Sequence, residues 1–328
     1  MGSASCMTGV PLPISIDVLS ALLVMVLTSS LGIWFDVLGW RSLFVSFHES
    51  PSASKAMAIH LASEAVARTI PGGVPIADGI RIALVHRSSP VSKVEIFTAA
   101  FSRRLFLGFA QGAFLTVSSL AGISLISDMT RGFPGGNAME WLAPSIGLGM
   151  MIVLATIGIA SGGERTVVGI ATAVRRIPFV RTRRWITRLA EQMIAVNHRM
   201  RAIRGFGSRR LFRSAMLFLA VWILEAAETY FVLRILGFGP SIVQAGLLES
   251  LVAAARLAAF FIPGGFGVQE GGYVGLLAAL GLATGASSAA VFLLLKRVRD
   301  LLWILGGYGL LLAFGFRASQ RRISARTT

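Results

Sequence analysis

The residues with the clearest chemical potential are charged side chains that interrupt long apolar stretches. Glu225 and Glu228 lie three residues apart, and Glu249 and Arg256 lie seven apart, so each pair would share a face of a helix. An ionisable group near the centre of a bilayer costs roughly 2.5–3.5 kcal/mol even on a permissive scale, so it needs a partner or a wet cavity. Arginines of this kind can hold an anionic phosphate, and carboxylates can receive a cationic group or a coupling proton.

The alternative interpretation is that these charges serve folding only. Glu249 and Arg256 would then form an ion pair within one helix, and Glu64 and Arg68 would form another at helical i, i+4 spacing. Both interpretations stay open at this stage.

Two identical Ile-Pro-Gly-Gly tetrapeptides, at 70–73 and 262–265, break the stretches that carry these charges. Proline removes a backbone donor and glycine releases the chain, so each stretch predicts either two short spans or a re-entrant pair of half-helices. An acid follows each proline by seven residues (Asp78 and Glu270), and 32–34 residues after each proline there is a basic pair, Arg103-Arg104 or Lys296-Arg297. The spacing predicts an internal repeat, and broken helices in corresponding halves point to a transporter's midplane site.

The candidate substrate path consists of the residues at the two breaks and the charged residues beside them: Pro71, Gly72, Gly73, Asp78, Arg81, Glu225, Glu228, Glu249, Arg256, Pro263, Gly264, Gly265 and Glu270.

The elements that must position these residues are predicted to be membrane spans. Of the 328 residues, 55% are hydrophobic and only 14% are charged, whereas about 25% of a soluble domain is charged. Several windows contain no Asp, Glu, Lys or Arg and approach the roughly 20 residues that cross a bilayer. These windows are Val18–Phe35, Leu105–Ile126, Trp141–Gly163, Gly271–Leu295 and Leu301–Phe316.

Much of the net charge of +16 lies in one segment of the chain. It therefore indicates how the chain is oriented in the membrane and not that the protein binds nucleic acid. Residues 165–213 contain thirteen arginines and one acid, Glu191. Because basic loops stay in the cytoplasm during insertion, this loop is predicted to be cytoplasmic. Counting spans outward places the loop 128–140 outside, the segment 81–93 inside and the C-terminus inside, which predicts a multi-pass protein of the inner (cytoplasmic) membrane.

The predicted fold is all-α: a polytopic transmembrane helix bundle with two inverted-topology repeats, each containing a Pro-Gly-Gly-broken helix. We expect one integral membrane domain over 1–328. Its parts are repeat one at about 15–127, a linking span at 141–163, a cytoplasmic basic loop at 164–213, repeat two at about 214–316 and a cytoplasmic tail at 317–328.

Within the basic loop, apolar residues recur every three or four positions from Trp185 to Ile203. The pattern predicts an amphipathic helix, which either lies on an anionic leaflet or packs under the bundle. The arginines predicted to contact the membrane surface are Arg184, Arg188, Arg199, Arg201 and Arg204.

The sequence predicts no cofactor and no metal site. Cys6 is the only cysteine, the four histidines are scattered, and no nucleophile motif is present. We therefore do not expect an enzyme, although Glu225 and Glu228 leave open an intramembrane lipid-modifying enzyme with a carboxylate pair as acid and base.

At these residues the sequence resembles the transmembrane, flippase-like region of lysylphosphatidylglycerol synthases and its stand-alone relatives. The resemblance covers roughly 15–316. It is carried by Gly39-Trp40-Arg41, Ile70-Pro71-Gly72-Gly73, Gly79-Ile80-Arg81, Trp222, Glu225, Leu236-Gly237, Arg256, Pro263-Gly264-Gly265-Phe266-Gly267 and Glu270.

The resemblance implies a flippase-like protein that moves a phospholipid or lipid-linked molecule between leaflets. The soluble domain that performs aminoacyl transfer in the full synthases does not follow residue 328, so we expect no such transfer here. Expected partners are the lipid substrate, anionic phospholipids and a lipid-biosynthetic enzyme; a scaffold for a lipid-biosynthetic complex is the third functional hypothesis.

Overall fold

The computed structural model describes residues 16–132, 136–161, 197–203, 205–259, 261–282 and 286–327, and across these ranges the regular structure is entirely helical. Eleven α-helices follow one another: α1 Ile16–Ser42, α2 Ala53–Thr69, α3 Gly73–Ser88, α4 Lys93–Ala121, α5 Ile123–Thr130, α6 Gly136–Met139, α7 Leu142–Ala160, α8 Ser208–Ile235, α9 Ile242–Ala258, α10 Val268–Ala279 and α11 Ala286–Thr327. The prediction of an all-α fold is confirmed.

The distribution of polarity is the reverse of that in a soluble protein. Large apolar side chains such as Leu23, Ile152 and Leu305 are more than half exposed, whereas Arg81 and Lys296 are almost fully buried. Four helices (α1, α4, α7 and α8) are long and apolar enough to cross a membrane. An apolar exterior around buried charges is the arrangement that a bilayer solvent favours.

Helices α1 and α8 pack along each other in antiparallel directions and form the centre of the bundle. In the middle of α1, Thr28 donates to Glu228 at 3.1 Å, and at the end of α1 the hydroxyls of Ser42 and Ser214 are 2.6 Å apart. Three residues before Ser42, a Cβ atom added to Gly39 would lie 2.8 Å from the Phe218 ring, so a larger residue there would force the ring to move.

Two hydrophobic clusters lie along this central pair. One surrounds Trp40, Phe44 and Phe218, and the other surrounds Met25 and Phe292. Each cluster contains side chains from both halves of the chain, so neither half has a core of its own.

Both Ile-Pro-Gly-Gly segments interrupt their helices, as the sequence predicts. Helix α2 ends at Thr69, and Gly72 takes the left-handed backbone conformation (φ 59°) that lets α3 start at Gly73. After α9, the segment Pro263–Gly265 forms one 3₁₀ turn, in which Gly264 has φ 58°. The inverted orientation of the repeats, and their re-entrant or spanning course, stay predictions.

The remaining contacts connect the two halves crosswise. Helix α11 packs on α2, and helix α4 packs on α9. At the first contact Gly307 lies directly against the backbone of α2 at Leu61. Helix α7 covers the outside of α4, where Gly112 and Gly147 face each other.

Two predicted boundaries differ from the structure. The apolar window Leu105–Ile126, predicted to be one span, is divided at Gly122, which caps α4 and starts α5. The backbone of α11 continues through Thr327, so residues 317–327 of the predicted tail prolong the last helix, because no Pro or Gly follows Gly315 to stop it.

Candidate functional site

The first half of the chain places an arginine between carboxylates from two helices. Arg103 of α4 donates two hydrogen bonds to Asp36 of α1, at 2.6 and 2.5 Å, and lies 3.5 Å from Glu64 of α2. His60 approaches Asp36 at 4.0 Å. Asp36 and Arg103 are both buried, so each needs the other to offset the cost of leaving water.

The acid that follows the first break joins the same network. Asp78 accepts from Arg81 at 2.9 Å and from Arg104 at 3.2 Å. Arg81, which is fully buried, also donates to Ser63 and Glu64. Helices α2, α3 and α4 are therefore held together by charge-assisted hydrogen bonds next to the first break.

The second half repeats this arrangement with a lysine. Lys296 of α11 lies 2.9 Å from Glu228 of α8 and 2.8 Å from Glu249 of α9. Glu249 also accepts from Thr229 and from Tyr273 of α10. All of these side chains are buried, so their polar groups depend on each other.

The two networks correspond position by position. The first residue of each basic pair, Arg103 or Lys296, binds an acid that lies 35 residues before the proline of its break, namely Asp36 or Glu228. The second residue, Arg104 or Arg297, binds the acid seven residues after that proline. These second pairs are Arg104 with Asp78 and Arg297 with Glu270.

A further arginine connects the second network to the first half. Arg299 binds Glu228 and Asp300 and lies 3.7 Å from Glu225. Asp300 in turn accepts from Arg68 at 3.2 Å, which comes from the last turn of α2 just before the first break. The end of one broken helix is thus tied to the charged helix of the other half.

The two intrahelical ion pairs proposed from spacing are wrong. Arg68 binds Asp300 of α11, and Glu64 binds the arginines of α3 and α4. Glu249 binds Lys296 instead of Arg256. Helix spacing shows which residues share a face, but the facing helices supplied closer partners.

The second break is stabilised by its own acid and its own basic residue. Glu270 accepts the backbone N–H of Gly267 at 2.7 Å, which caps α10. Arg297 binds Glu270 and also donates to the Gly264 carbonyl at 3.2 Å. The carbonyl freed by the Pro-Gly-Gly turn is therefore satisfied inside the protein, as the membrane interior requires.

A cavity of about 400 Å³ opens at this point, between the two breaks. Its lining residues are Arg68, Thr69, Arg256, Pro263, Gly264, Phe266, Gln269, Arg297, Asp300, Leu301 and Ile304. Its volume lies within the range of small-molecule sites.

The charge in this cavity is unequal, with three arginines facing one aspartate. Arg297 is bound to Glu270, and Arg68, with 43% of its side chain exposed, is bound to Asp300. Among the described residues, no carboxylate lies within 4.0 Å of the Arg256 guanidinium. Glu225, Glu249 and Asp300 act on its charge from further away, and its guanidinium has the fork shape that binds phosphate oxygens in pairs.

The structure brings the predicted path residues together in two groups. Asp78 and Arg81 belong to the network of the first half, and Glu225, Glu228 and Glu249 belong to that of the second. Arg256, Pro263 and Gly264 line the cavity, and Glu270 binds its lining residue Arg297. Pro71, Gly72 and Gly73 form the turn between α2 and α3 and do not line the cavity. Sequence reasoning missed Gln269 as a lining residue and took Arg68 only as an ion-pair partner.

Asp36 was also missed, although a signal for it existed. It interrupts an otherwise apolar helix, and its 35-residue spacing from Pro71 equals that of Glu228 from Pro263. Extending the repeat comparison upstream of the prolines would have found it.

The end of the basic loop packs against the bundle. In the helical residues 197–203, Met200 and Ile203 are buried, and Arg199 binds Glu95 of α4 at 3.2 Å. Arg201 also has a partner. Arg184, Arg188 and Arg204 lie outside the described residues, so a membrane-surface role for this set stays a prediction.

The described residues contain no group of three His, Cys, Asp or Glu side chains that could hold a metal ion. The polar chemistry of the site therefore rests on arginine and lysine facing carboxylates.

Apolar spans around buried, paired charges define an integral membrane protein with several spans. The chain belongs to the lysylphosphatidylglycerol synthase TM region family, which matches residues 14–316, nearly the whole chain. No curated protein and no solved structure matches it significantly.

Proposed function

We propose that this protein moves a phospholipid or lipid-linked molecule between the leaflets of the bacterial inner membrane. The cavity at the two breaks would hold the anionic headgroup while the acyl chains stay in the lipid. The observation that carries the proposal is Arg256, a cavity arginine without a carboxylate partner within 4.0 Å among the described residues.

The chemistry of the cavity supports a headgroup as the ligand. Arg68 and Arg297 flank the free guanidinium of Arg256, and an arginine fork binds phosphate oxygens in pairs. Phe266, Leu301 and Ile304 provide an apolar side to the same cavity. A molecule with a phosphate and an apolar portion would satisfy both surfaces.

The packing of the two halves supports an alternating mechanism. Asp36 and Glu228 are corresponding residues on α1 and α8, and these helices run antiparallel. Corresponding helices that run in opposite directions are what inverted repeats would produce. Rocking of one repeat against the other around a central site is the usual mechanism of such transporters.

The location follows from the charge map. The arginines at 165–213 would hold that loop in the cytoplasm. The same argument places the C-terminus in the cytoplasm and the loop 128–140 outside.

The test is lipid translocation in proteoliposomes that contain a labelled phospholipid, followed by chemical quenching of the outer leaflet. Arg256→Gln should lower the initial rate by about 10- to 100-fold, because a hydrogen bond to a charged group contributes about 1.5–3 kcal/mol. Arg234→Gln is the matched control, since Arg234 is an exposed arginine that binds Tyr230 of its own helix α8 and does not line the cavity.

Translocation at the wild-type rate by Arg256→Gln protein would contradict the proposed site. An equal loss in Arg234→Gln protein would also contradict it, because the effect would then not be specific to the cavity.

An intramembrane lipid enzyme is less well supported. In the predicted acid–base pair, Glu228 is already engaged by two cations, Lys296 and Arg299, and by the Thr28 hydroxyl. Chemical conversion of the labelled lipid during the same assay would favour the enzyme, and a wild-type protein without translocation or conversion would favour the scaffold.

A further inference from the structure

A second basic cavity lies at the opposite part of the bundle, where α1 ends and α8 begins. It has a volume of about 360 Å³ and shares no lining residue with the cavity at the breaks. Its lining residues are Leu38, Arg41, Ser42, Phe47, His48, Arg210 and Arg213. An adjoining space is lined by Arg209, Phe212 and Met216 together with Arg210 and Arg213.

Arg210 has a structural role in this cavity. Its guanidinium donates to the carbonyl oxygens of Ser42 and Phe44, at 2.8 and 2.6 Å, and stacks on the Phe206 ring at 3.7 Å. These bonds satisfy the end of α1 and fix the positively charged group in place. Arg210 thereby sets the shape of the cavity.

Arg41 and Arg213, by contrast, keep free donors. Among the described residues, neither has a carboxylate within 4.0 Å. Arg41 lies over the Phe47 ring at 5.2 Å, and its Nε atom is buried without a hydrogen-bond partner. A buried donor without a partner costs free energy unless a ligand accepts from it.

The local electrostatics are also unbalanced. Three arginines (Arg209, Arg210 and Arg213) lie in the first two turns of α8, and its first turn contains no acid. The N-terminal end of a helix carries partial positive charge, so these side chains repel it as well as each other. A bound anion would offset both repulsions.

We propose that this cavity binds the phosphate of an anionic membrane phospholipid as a site separate from the transport cavity. Arg41 and Arg213 contact the phosphate oxygens. The apolar residues Leu38, Phe212 and Met216 contact the first part of the acyl chains. In the predicted topology, the site lies at the cytoplasmic leaflet, where anionic lipids attract arginine.

The test is lipid retention by the full-length protein, measured by native mass spectrometry in a neutral detergent. The protein is incubated with an equimolar mixture of phosphatidylglycerol and phosphatidylcholine. Wild-type protein should retain phosphatidylglycerol preferentially. Each of Arg41→Gln and Arg213→Gln should weaken its binding by about fivefold, and the double variant by about 30-fold.

A control variant and a second background distinguish this site from others. Arg234→Gln removes an arginine from the far end of the same helix and should retain the lipid seen in wild type. Because the cavity at the breaks is itself proposed to hold a phospholipid, the losses caused by Arg41→Gln and Arg213→Gln are also measured in an Arg256→Gln background, where they should persist. Thermal unfolding of each variant checks that the fold is preserved.

Several outcomes would overturn the proposal. Unchanged retention by a folded double variant in either background, or an equal loss in Arg234→Gln, would place the lipid elsewhere. Inorganic phosphate and soluble phosphatidylglycerol are compared as competitors of the retained lipid. If both displace it at the same concentration, the acyl chains contribute nothing to binding, and the site is one for free phosphate.

Discussion

Removal of Arg103 is the sharpest test of the buried charge network. Arg103 is the only residue among those described that donates hydrogen bonds to Asp36, through both carboxylate oxygens. Asp36 is 7% exposed, so water cannot replace these bonds. Removing one partner of a buried ion pair costs about 3–5 kcal/mol, and we expect Arg103→Met to lose stability of that order.

The assay is thermal unfolding in detergent, followed by circular dichroism in the helical band. At on the order of 2 °C per kcal/mol for a chain longer than 250 residues, the transition of Arg103→Met should fall by about 6–10 °C. The control is Arg104→Met. Its side chain is 30% exposed and its partner Asp78 keeps Arg81 at 2.9 Å, so it should lose only about 1 kcal/mol.

A double variant tests whether the unpaired, buried Asp36 carboxylate causes the loss of stability in Arg103→Met. Asp36→Asn combined with Arg103→Met leaves a buried neutral amide, which costs about 1–3 kcal/mol, so part of the lost stability should return. The cycle formed by the two single variants and the double variant isolates the interaction energy. Wild-type stability of Arg103→Met, or a double variant no more stable than the single one, would refute the reasoning.

Two further predictions concern helix packing and topology. Gly307→Ala should lower the stability by about 1–3 kcal/mol in the same melting assay, because the new methyl group meets the backbone of α2. Gly306→Ala is the control and should not lose stability, because the space around Gly306 is open. Equal effects of the two variants would contradict the close contact. The topology is tested by cysteine labelling in a Cys6→Ser background, because Arg131 and Arg87 are both exposed and are predicted to lie on opposite sides of the membrane. Arg131→Cys should react with an impermeant thiol reagent from outside the cell, and Arg87→Cys only after the membrane is opened. Labelling of both positions from one side would contradict the predicted topology.

Much of the local structure could be predicted from single residues. Pro71 and Pro263, each followed by two glycines, end their helices for reasons that act within a few residues of the chain. The basic pairs were also located by spacing alone, and the structure pairs Arg104 with Asp78 and Arg297 with Glu270. These features depend on backbone chemistry and on position in the repeat.

The partners of the buried charges could not be predicted in the same way. Glu64 and Arg68 have ideal spacing for a pair within α2, yet each binds a residue on another helix. In a membrane helix the apolar pattern does not separate a lipid-facing side from a protein-facing side as clearly as it does in water, so it gives little information about which helices meet. Arg68 was therefore not recognised as a residue of the cavity.

The presence of charges among the apolar spans follows from the sequence by itself. Composition determines that the chain enters a membrane, and the high cost of charge there determines that these residues must find partners. Only the tertiary structure decided which partners they have and which arginines keep free donors. The physical reason is that the partners come from other helices: Glu249 of α9 is bound by Lys296 of α11, and Arg256 of α9 lines the cavity with no carboxylate within 4.0 Å among the described residues.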